Sequence, residues 1–503
     1  MQNTKQIKIG AMLSYFAIIL NVGAGLLYTP WMVRMIGQSQ YGLYTLANSL
    51  LSLFLVDFGL SSATARYVSK YRAENDILKV NNFLGIIYKL YLIIDGIIFS
   101  TLIVVYFFID IIYKNLTPIE IEQFKVVYII AGLFSVINFP FVTLNGILTA
   151  YEEFIHLKLS EVFYRLFLVA IMIVVLLHGG RLYPVVVVNA AVGLAVIVYK
   201  FIVIKAKLPI NVNFHYRDSS LMKELFGFSA WSTVSTLAQR LVFSITPTVL
   251  GIVANSTAIA VFGIVSTIEG YVFVFTTAIN GMFMPAITRA FQKPDAEKEL
   301  NPLFIGVGKF QYAINGLIVS VFFVVGMQFI ELWMGNEYIT AYYGILLTII
   351  PGLFYNSLQI ANTSLIVTNK VKYQACVNLF MGVINIVLAF LLSKRFGVLG
   401  ACISIFIAFM VRNVLLNIIC YKVLKLDILK FIRDCYIRMS IPICISVLIG
   451  FVINRIICPK GWMDLIIRGA VVSGIFVVSL FLFGLNKLDR KFILQYLRHR
   501  GEK

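Results

Sequence analysis

Among the ionisable residues that stand in or beside stretches otherwise apolar enough to lie in hydrocarbon, six are the candidates for any chemistry this sequence performs: Arg34, Asp57, Asp95, Arg240, Glu269 and Arg412. A charge at the centre of a bilayer costs at least about 2.5–3.5 kcal/mol on insertion scales, so such side chains face other helices or water rather than lipid. Arg240 and Glu269 each lie about 14 residues, or roughly 21 Å of helix, from the short turn expected between their spans, which puts them at matched depth. They are either a structural ion pair between neighbouring helices or a working pair in which Glu269 binds a proton or a sodium ion. Asp57, two residues before Gly59, reads as a gate or hinge carboxylate, or as the partner of Arg66 or Lys70 at the membrane boundary. Asp95 and Lys89 are six apart, on nearly opposite faces of one helix, so each should find its partner on a different helix. Glu161 and Arg165 are four apart and can neutralise each other along one helix face. Arg34 approaches a membrane surface, where it either attracts a head group or snorkels to the interface. Arg412 has no acid near it in sequence and could face the interior of its bundle.

The elements that must position these residues are set by composition. Of 503 residues, 60% are hydrophobic and only 13% charged, and the mean hydropathy is +0.91; soluble chains carry about 25% charged residues. Apolar runs of about 20 residues recur along the whole chain, each able to cross a hydrocarbon layer about 30 Å thick. The fold class expected is therefore an all-α polytopic membrane protein of about fourteen transmembrane helices. Spans are placed near 10–33, 41–64, 83–109, 126–148, 158–178, 182–204, 226–252, 257–286, 303–330, 340–366, 373–393, 396–421, 437–457 and 466–486. The first run exceeds the roughly 7–15 residues of a signal-peptide core and lacks a small-x-small cleavage site, so it reads as a retained span.

The formal net charge of +19 is a matter of topology rather than nucleic-acid binding, because no basic stretch with interleaved aromatics sits in a soluble segment large enough to fold. Most of the Lys and Arg fall in alternate loops and at both ends, which by the positive-inside rule predicts cytoplasmic termini. The six cysteines lack CxxC spacing and a His partner, so neither a metal site nor a disulfide framework is expected. With no GxxxxGK[ST] sequence and no paired carboxylates or Ser/His/Asp set on a sizeable loop, covalent catalysis is not expected either.

Sliding the chain against itself gives a weak register near an offset of about 217 residues: Thr29-Pro30 falls on Thr246-Pro247, and Gln38-Ser39 on Asn255-Ser256. Leu148-Thr149 and Val367-Thr368, then Tyr199-Lys200 and Tyr421-Lys422, continue it. This predicts two pseudo-symmetric six-helix lobes, 1–215 and 216–425, two additional helices over 426–486, and a basic cytoplasmic tail, 487–503. Parallel repeats of this kind are a transporter's architecture, with the substrate site near the midplane between halves that rock.

The stretch Gly37-Gln-Ser-Gln-Tyr-Gly-Leu-Tyr44, followed by Leu55-Val-Asp-Phe-Gly-Leu-Ser61 and Arg66-Tyr67, resembles the opening of the polysaccharide and O-antigen flippases, and Leu332-Trp-Met-Gly-Asn-Glu-Tyr338 is similar to their segment after the ninth span. These belong to the multidrug/oligosaccharidyl-lipid/polysaccharide exporter superfamily. The resemblance implies a bacterial cytoplasmic (inner) membrane protein whose cavity is lined chiefly by spans one, two, seven and eight. It implies alternating-access flipping of an undecaprenyl-diphosphate-linked oligosaccharide, an O-antigen, capsule or exopolysaccharide unit, from the cytoplasmic to the outer face. On that reading Arg240, Arg34 and Arg412 contact the anionic head group, while Glu269, Asp57 and Asp95 serve ion coupling or gating. No cofactor is expected beyond a coupling proton or sodium ion. The partners implied are the lipid-linked oligosaccharide, membrane lipids, and a polysaccharide polymerase with its chain-length machinery. An ion-coupled multidrug exporter of the same superfamily is one alternative, and a membrane polysaccharide polymerase or ligase another; the second lacks the large outer loop it would need.

Overall fold

The computed structural model describes residues 2–55, 57–277, 284–291, 296–368, 370–456, 461–486 and 490, and among these every regular element is a helix. The backbone divides into two compact units, Met1–Gly263 and Ile264–Lys503. In the first unit run α1 (Gln2–Ile36), α2 (Gln38–Phe54), α3 (Leu60–Ala73), α4 (Ile77–Ile112), α5 (Pro118–Asn138), α6 (Thr143–Ala150), α7 (Phe154–Leu177), α8 (Leu182–Lys207), α9 (Ser219–Phe243) and α10 (Thr246–Val253). α1 packs along α7, α2 against α5, α5 against α8, and α3 between α4 and α6, while α9 and α10 lean on α2.

The helix starts follow local chemistry. Thr117 and Glu120 form a reciprocal capping box ahead of Pro118 in the first turn of α5, satisfying donors a helix otherwise leaves open. Asp218 caps α9 by accepting from the Ser220 hydroxyl at 2.6 Å and from the Ser220 and Leu221 amides; these bonds hold its carboxyl below the usual carboxylate range.

The second unit takes the remainder of α11 (Ser256–Thr277), then α12 (Met284–Phe291), α13 (Ala296–Met334), α14 (Ile339–Asn356), α15 (Gln359–Val367), α16 (Val371–Leu424), the short α17 (Ile428–Phe431), α18 (Arg438–Ile456) and α19 (Gly461–Ser479). The 39-residue α13 is its spine, packed on α14, α18 and α19. Arg468, 3% exposed, fastens the last two helices to it: it pairs with Asp464 at 2.8 Å, donates to Asn454 of α18 at 2.6 Å, and bonds Gln328 of α13. Of the basic tail 487–503, all but Arg490 lies outside the described residues.

Among the described residues, twelve stretches are long and apolar enough to cross a membrane. One of them counts twice. The 54 residues of α16 would reach about 81 Å as a straight helix, but Gly397 stands at φ 55, ψ −130, a conformation that excludes a Cβ, and the chain turns back there. Ser404 donates to Asn385 at 3.0 Å and Arg412 to Asn378 at 2.8 Å, pairs that a straight helix would hold about 28 and 51 Å apart. A further crossing is α2 with α3, too short singly: Phe58 (φ 51) and Gly59 (φ 69), both left-handed, interrupt the helix between them. With both, the structure agrees with the expected all-α polytopic fold of about fourteen crossings.

The outer surface is hydrocarbon-like. On α4 the buried Tyr91, Ile94, Asp95, Ile98 and Leu102 recur at helical spacing, while Leu92, Ile93 and Ile97 beside them are exposed. Leu27 is 80% exposed and Phe107 70%, which suits lipid and not water. Trp333 is 4% exposed and stacked on Phe329 at 5.3 Å, while Trp231 and Trp462 are exposed.

Candidate functional site

The expected site residues fall into two polar clusters, one in each unit, with three residues apart from them. The first cluster exists because α2 breaks. The last regular bond of α2 runs from the Leu55 amide to the Leu51 carbonyl at 3.1 Å. Ser52 lies in the last turn of α2, where the carbonyls of a helix lack partners within it and carry partial negative charge. Arg240, in the last turn of α9, donates Nη1 to that carbonyl. Asp57 lies in the break itself. Its Oδ2 accepts from the Ser61 amide at 3.2 Å, its Oδ1 accepts from the hydroxyl of the wholly buried Tyr91, and its charge interacts with that of Arg240. The partners expected for Asp57, Arg66 or Lys70, are not its hydrogen-bond donors: these come from α4 and from its own downstream turn.

The second cluster belongs to the α16 hairpin. Arg412, 4% exposed, gives Nε to Asn378 on the opposing arm and lies over the Tyr355 ring of α14, 5.0 Å from its centroid. Nη1 of Arg412 is buried without a hydrogen-bond partner. Tyr355 stacks on Phe273 at 6.2 Å and on Phe409 at 5.1 Å. Glu269 on α11 is half-buried and close enough to the Tyr355 hydroxyl for their charges to interact. Behind this group Asn356 donates to Asn315 and to Thr276, each at 3.1 Å, and its own Oδ1 is left buried and unbonded. Arg240 and Glu269 have their described partners within separate units, Ser52 and Asp57 for the one and Tyr355 for the other.

Asp95 on α4 is 9% exposed and its Oδ1 has no hydrogen-bond partner, although a partner on another helix was expected; Lys89 does find one, the Tyr216 carbonyl, at 2.9 Å. Arg34 is exposed in the last turn of α1, where a cation complements the helix dipole. Glu161 and Arg165 do not pair. Glu161 takes Lys158, three residues back, at 2.9 Å, and Arg165 donates instead to the Asn21 carbonyl of α1 at 3.3 Å. The sequence reading passed over Ser52, Tyr91, Tyr355 and Asn378. Nothing in local spacing marks them, though the Asn at 378 and Arg at 412 are near-symmetric about the Gly397 turn, which a hairpin reading of that segment could have used. Among the described residues no group of His, Cys, Asp and Glu could hold a metal ion.

Residues 9–291 match the family described as polysaccharide biosynthesis protein. The chain is 22% identical over 500 residues, 96% of each sequence, to the uncharacterized membrane protein EpsK of Bacillus subtilis (strain 168). Its fold is similar to that of the lipid II flippase MurJ in an inward closed conformation, with a TM-score of 0.72 at 14% identity over 94% of this chain and 98% of that one. An inward-facing multidrug resistance MATE family transporter of the MOP superfamily superposes with a TM-score of 0.67, also at 14% identity, over 79% of this chain and 92% of that one.

Proposed function

This chain belongs to the polysaccharide biosynthesis protein family, and from that premise we propose that it flips an undecaprenyl-diphosphate-linked oligosaccharide from the cytoplasmic to the outer face of a bacterial inner membrane by alternating access. The observation that carries this reading is Arg412: a guanidinium 4% exposed, hydrogen-bonded to a neutral amide and with Nη1 unbonded. A cation kept so costly at that depth suits an anionic cargo. The similar fold of a lipid II flippase supports a lipid-linked cargo. Arg412, Arg240 and Arg34 contact the diphosphate or sugar on this reading, and the cytoplasmic placement of both termini follows from the loop charge.

Glu269, Asp57 and Asp95 are the carboxylates available to couple transport to a proton or a sodium ion; the membrane potential acting on the anion is the alternative drive. Reconstitution in liposomes tests both parts. A labelled polyprenyl-diphosphate sugar should become accessible to an external enzyme only in vesicles containing the protein, and Arg412→Gln should slow this. Glu269→Gln, Asp57→Asn or Asp95→Asn should remove any dependence on an imposed ion gradient. Vesicles in which the sugar stays inaccessible with the wild-type protein present would refute the flippase reading.

A further inference from the structure

The group around Arg165 has more donors than it can use. Arg165 is the twelfth of the 24 residues of α7, at mid-span, and its Glu161 neighbour is engaged with Lys158. Around its guanidinium stand Tyr28 of α1, Tyr44 of α2 and Tyr164 of α7, each near enough to interact electrostatically with it. Asn189 of α8 links two of them: it accepts from the Tyr164 hydroxyl at 2.5 Å and donates to the Tyr44 oxygen at 3.1 Å. The Tyr44 hydroxyl also has Asn48 of its own helix as a side-chain hydrogen-bond partner. The Tyr28 hydroxyl, on a residue 9% exposed, has no hydrogen-bond partner, and neither does the buried Nε of Arg165.

Helices α1 and α7 therefore bring a guanidinium and the unmet Tyr28 phenol proton together, and among the described residues the one protein oxygen that accepts from Arg165 is a backbone carbonyl. Buried donors left unmet are costly, and a cation at mid-span more so. What completes this arrangement is an acceptor carrying negative charge. An oxyanion fits, because guanidinium and hydroxyl donors make their shortest and strongest bonds to ionised oxygens.

We propose that Arg165 and Tyr28 form an anion-binding site inside the first unit, separate from the Arg240 and Arg412 clusters, that takes a phosphoryl or carboxylate oxyanion of the transported lipid-linked sugar. The source of the oxyanion rests on the flippase reading; the site itself does not.

The test uses the full chain in phosphatidylcholine nanodiscs with three probes: polyprenyl diphosphate, sodium glucuronate, and phosphatidylglycerol mixed into the disc. Wild type should bind at least one of the first two. Tyr28→Phe, which removes only a hydroxyl, should weaken that binding about tenfold, and Arg165→Met more. Arg165→Lys should recover only part, since an ammonium lacks the planar fork. Both Tyr28→Phe and Arg165→Met should melt no lower than wild type, because each deletes an unmet buried donor. Equal binding of every probe by wild type and Arg165→Met overturns the proposal, as does wild type binding none. Loss of binding together with a lower melting temperature in both Tyr28→Phe and Arg165→Met would make the cluster structural and also overturn it. Binding of phosphatidylglycerol alone makes the ligand a resident lipid and refutes the cargo assignment. Wild-type transport with no Arg165 dependence removes this site and leaves flipping intact; absent transport with Arg165-dependent glucuronate binding does the reverse.

Discussion

Arg240 and Arg412 are the same side chain under the same constraint, and the two units of the molecule hold them in opposite ways. In the first unit the backbone supplies the acceptor: α2 ends at Phe54, and Arg240 donates to the Ser52 carbonyl in its last turn, beside the carboxylate of Asp57. In the second the helices stay regular around Arg412, and neutral side chains receive it, the Asn378 amide on one side and the Tyr355 ring on the other. A broken helix offers partial charges that are already fixed in direction, whereas intact helices have every backbone group used and must supply side chains. The first solution places a carboxylate next to the arginine. The second leaves the arginine's charge without a carboxylate bonded to it, which is the state a passing anion can exploit.

The largest effect should come from stripping Arg412 of its neutral acceptor. Asn378→Leu leaves a buried guanidinium without its bonded oxygen and should destabilise the second unit by about 3 kcal/mol, read as a lowered melting temperature of the purified protein. Adding Arg412→Met to Asn378→Leu should recover most of that loss, because the pair is then apolar throughout. If the double variant is no more stable than Asn378→Leu alone, Asn378 is needed for the hairpin itself and the contrast with Arg240 is weaker than drawn.

At the break in α2 the corresponding change is Asp57→Ala. It strands the hydroxyl of Tyr91, whose side chain is wholly buried, and removes the charge beside Arg240; about 2 kcal/mol is expected for the stranded donor. Asp57→Asn keeps an oxygen for Tyr91, so it should cost roughly half as much, and the ranking of the two variants by denaturant midpoint checks the assignment. Equal losses would mean that the charge facing Arg240, and not the Tyr91 bond, dominates the joint.

The extent to which these sites were legible follows the reach of local rules. Hydropathy located the crossings, and the turn between residues 393 and 396 anticipated the reversal that Gly397 makes. Periodicity placed Lys89 and Asp95 on different faces, and Lys89 does bond to a distant segment. Which atom receives Arg240 was beyond such rules, because the Ser52 carbonyl lies in the last turn of α2, which ends at Phe54 ahead of the left-handed Phe58 and Gly59, and the expected span from 41 to 64 ran straight through that end. Tyr91 as the donor to Asp57 is a contact between helices, and spacing along one helix says nothing about its neighbour. Glu161 and Arg165 show the converse failure: the spacing was right for a pair, yet Lys158 three residues earlier competes for the same carboxylate, and Arg165 turns toward α1.

That last arrangement gives the smallest predicted effect and extends the comparison to a third arginine. Glu161 is exposed and its pair with Lys158 faces outward, with side-chain exposures of 48% and 28%. Exposed pairs contribute little, so Glu161→Gln should change stability by less than about 0.5 kcal/mol and leave transport unchanged. Were Glu161 the counter-charge of Arg165 after all, the same substitution would abandon a mid-span cation and lower the melting temperature as strongly as Asn378→Leu. A silent Glu161→Gln beside a damaging Asn378→Leu would establish that Arg165 and Arg412 are held by oxygens of neutral groups, in contrast to Arg240 beside Asp57, and that the one carboxylate within helical reach of Arg165 takes no part.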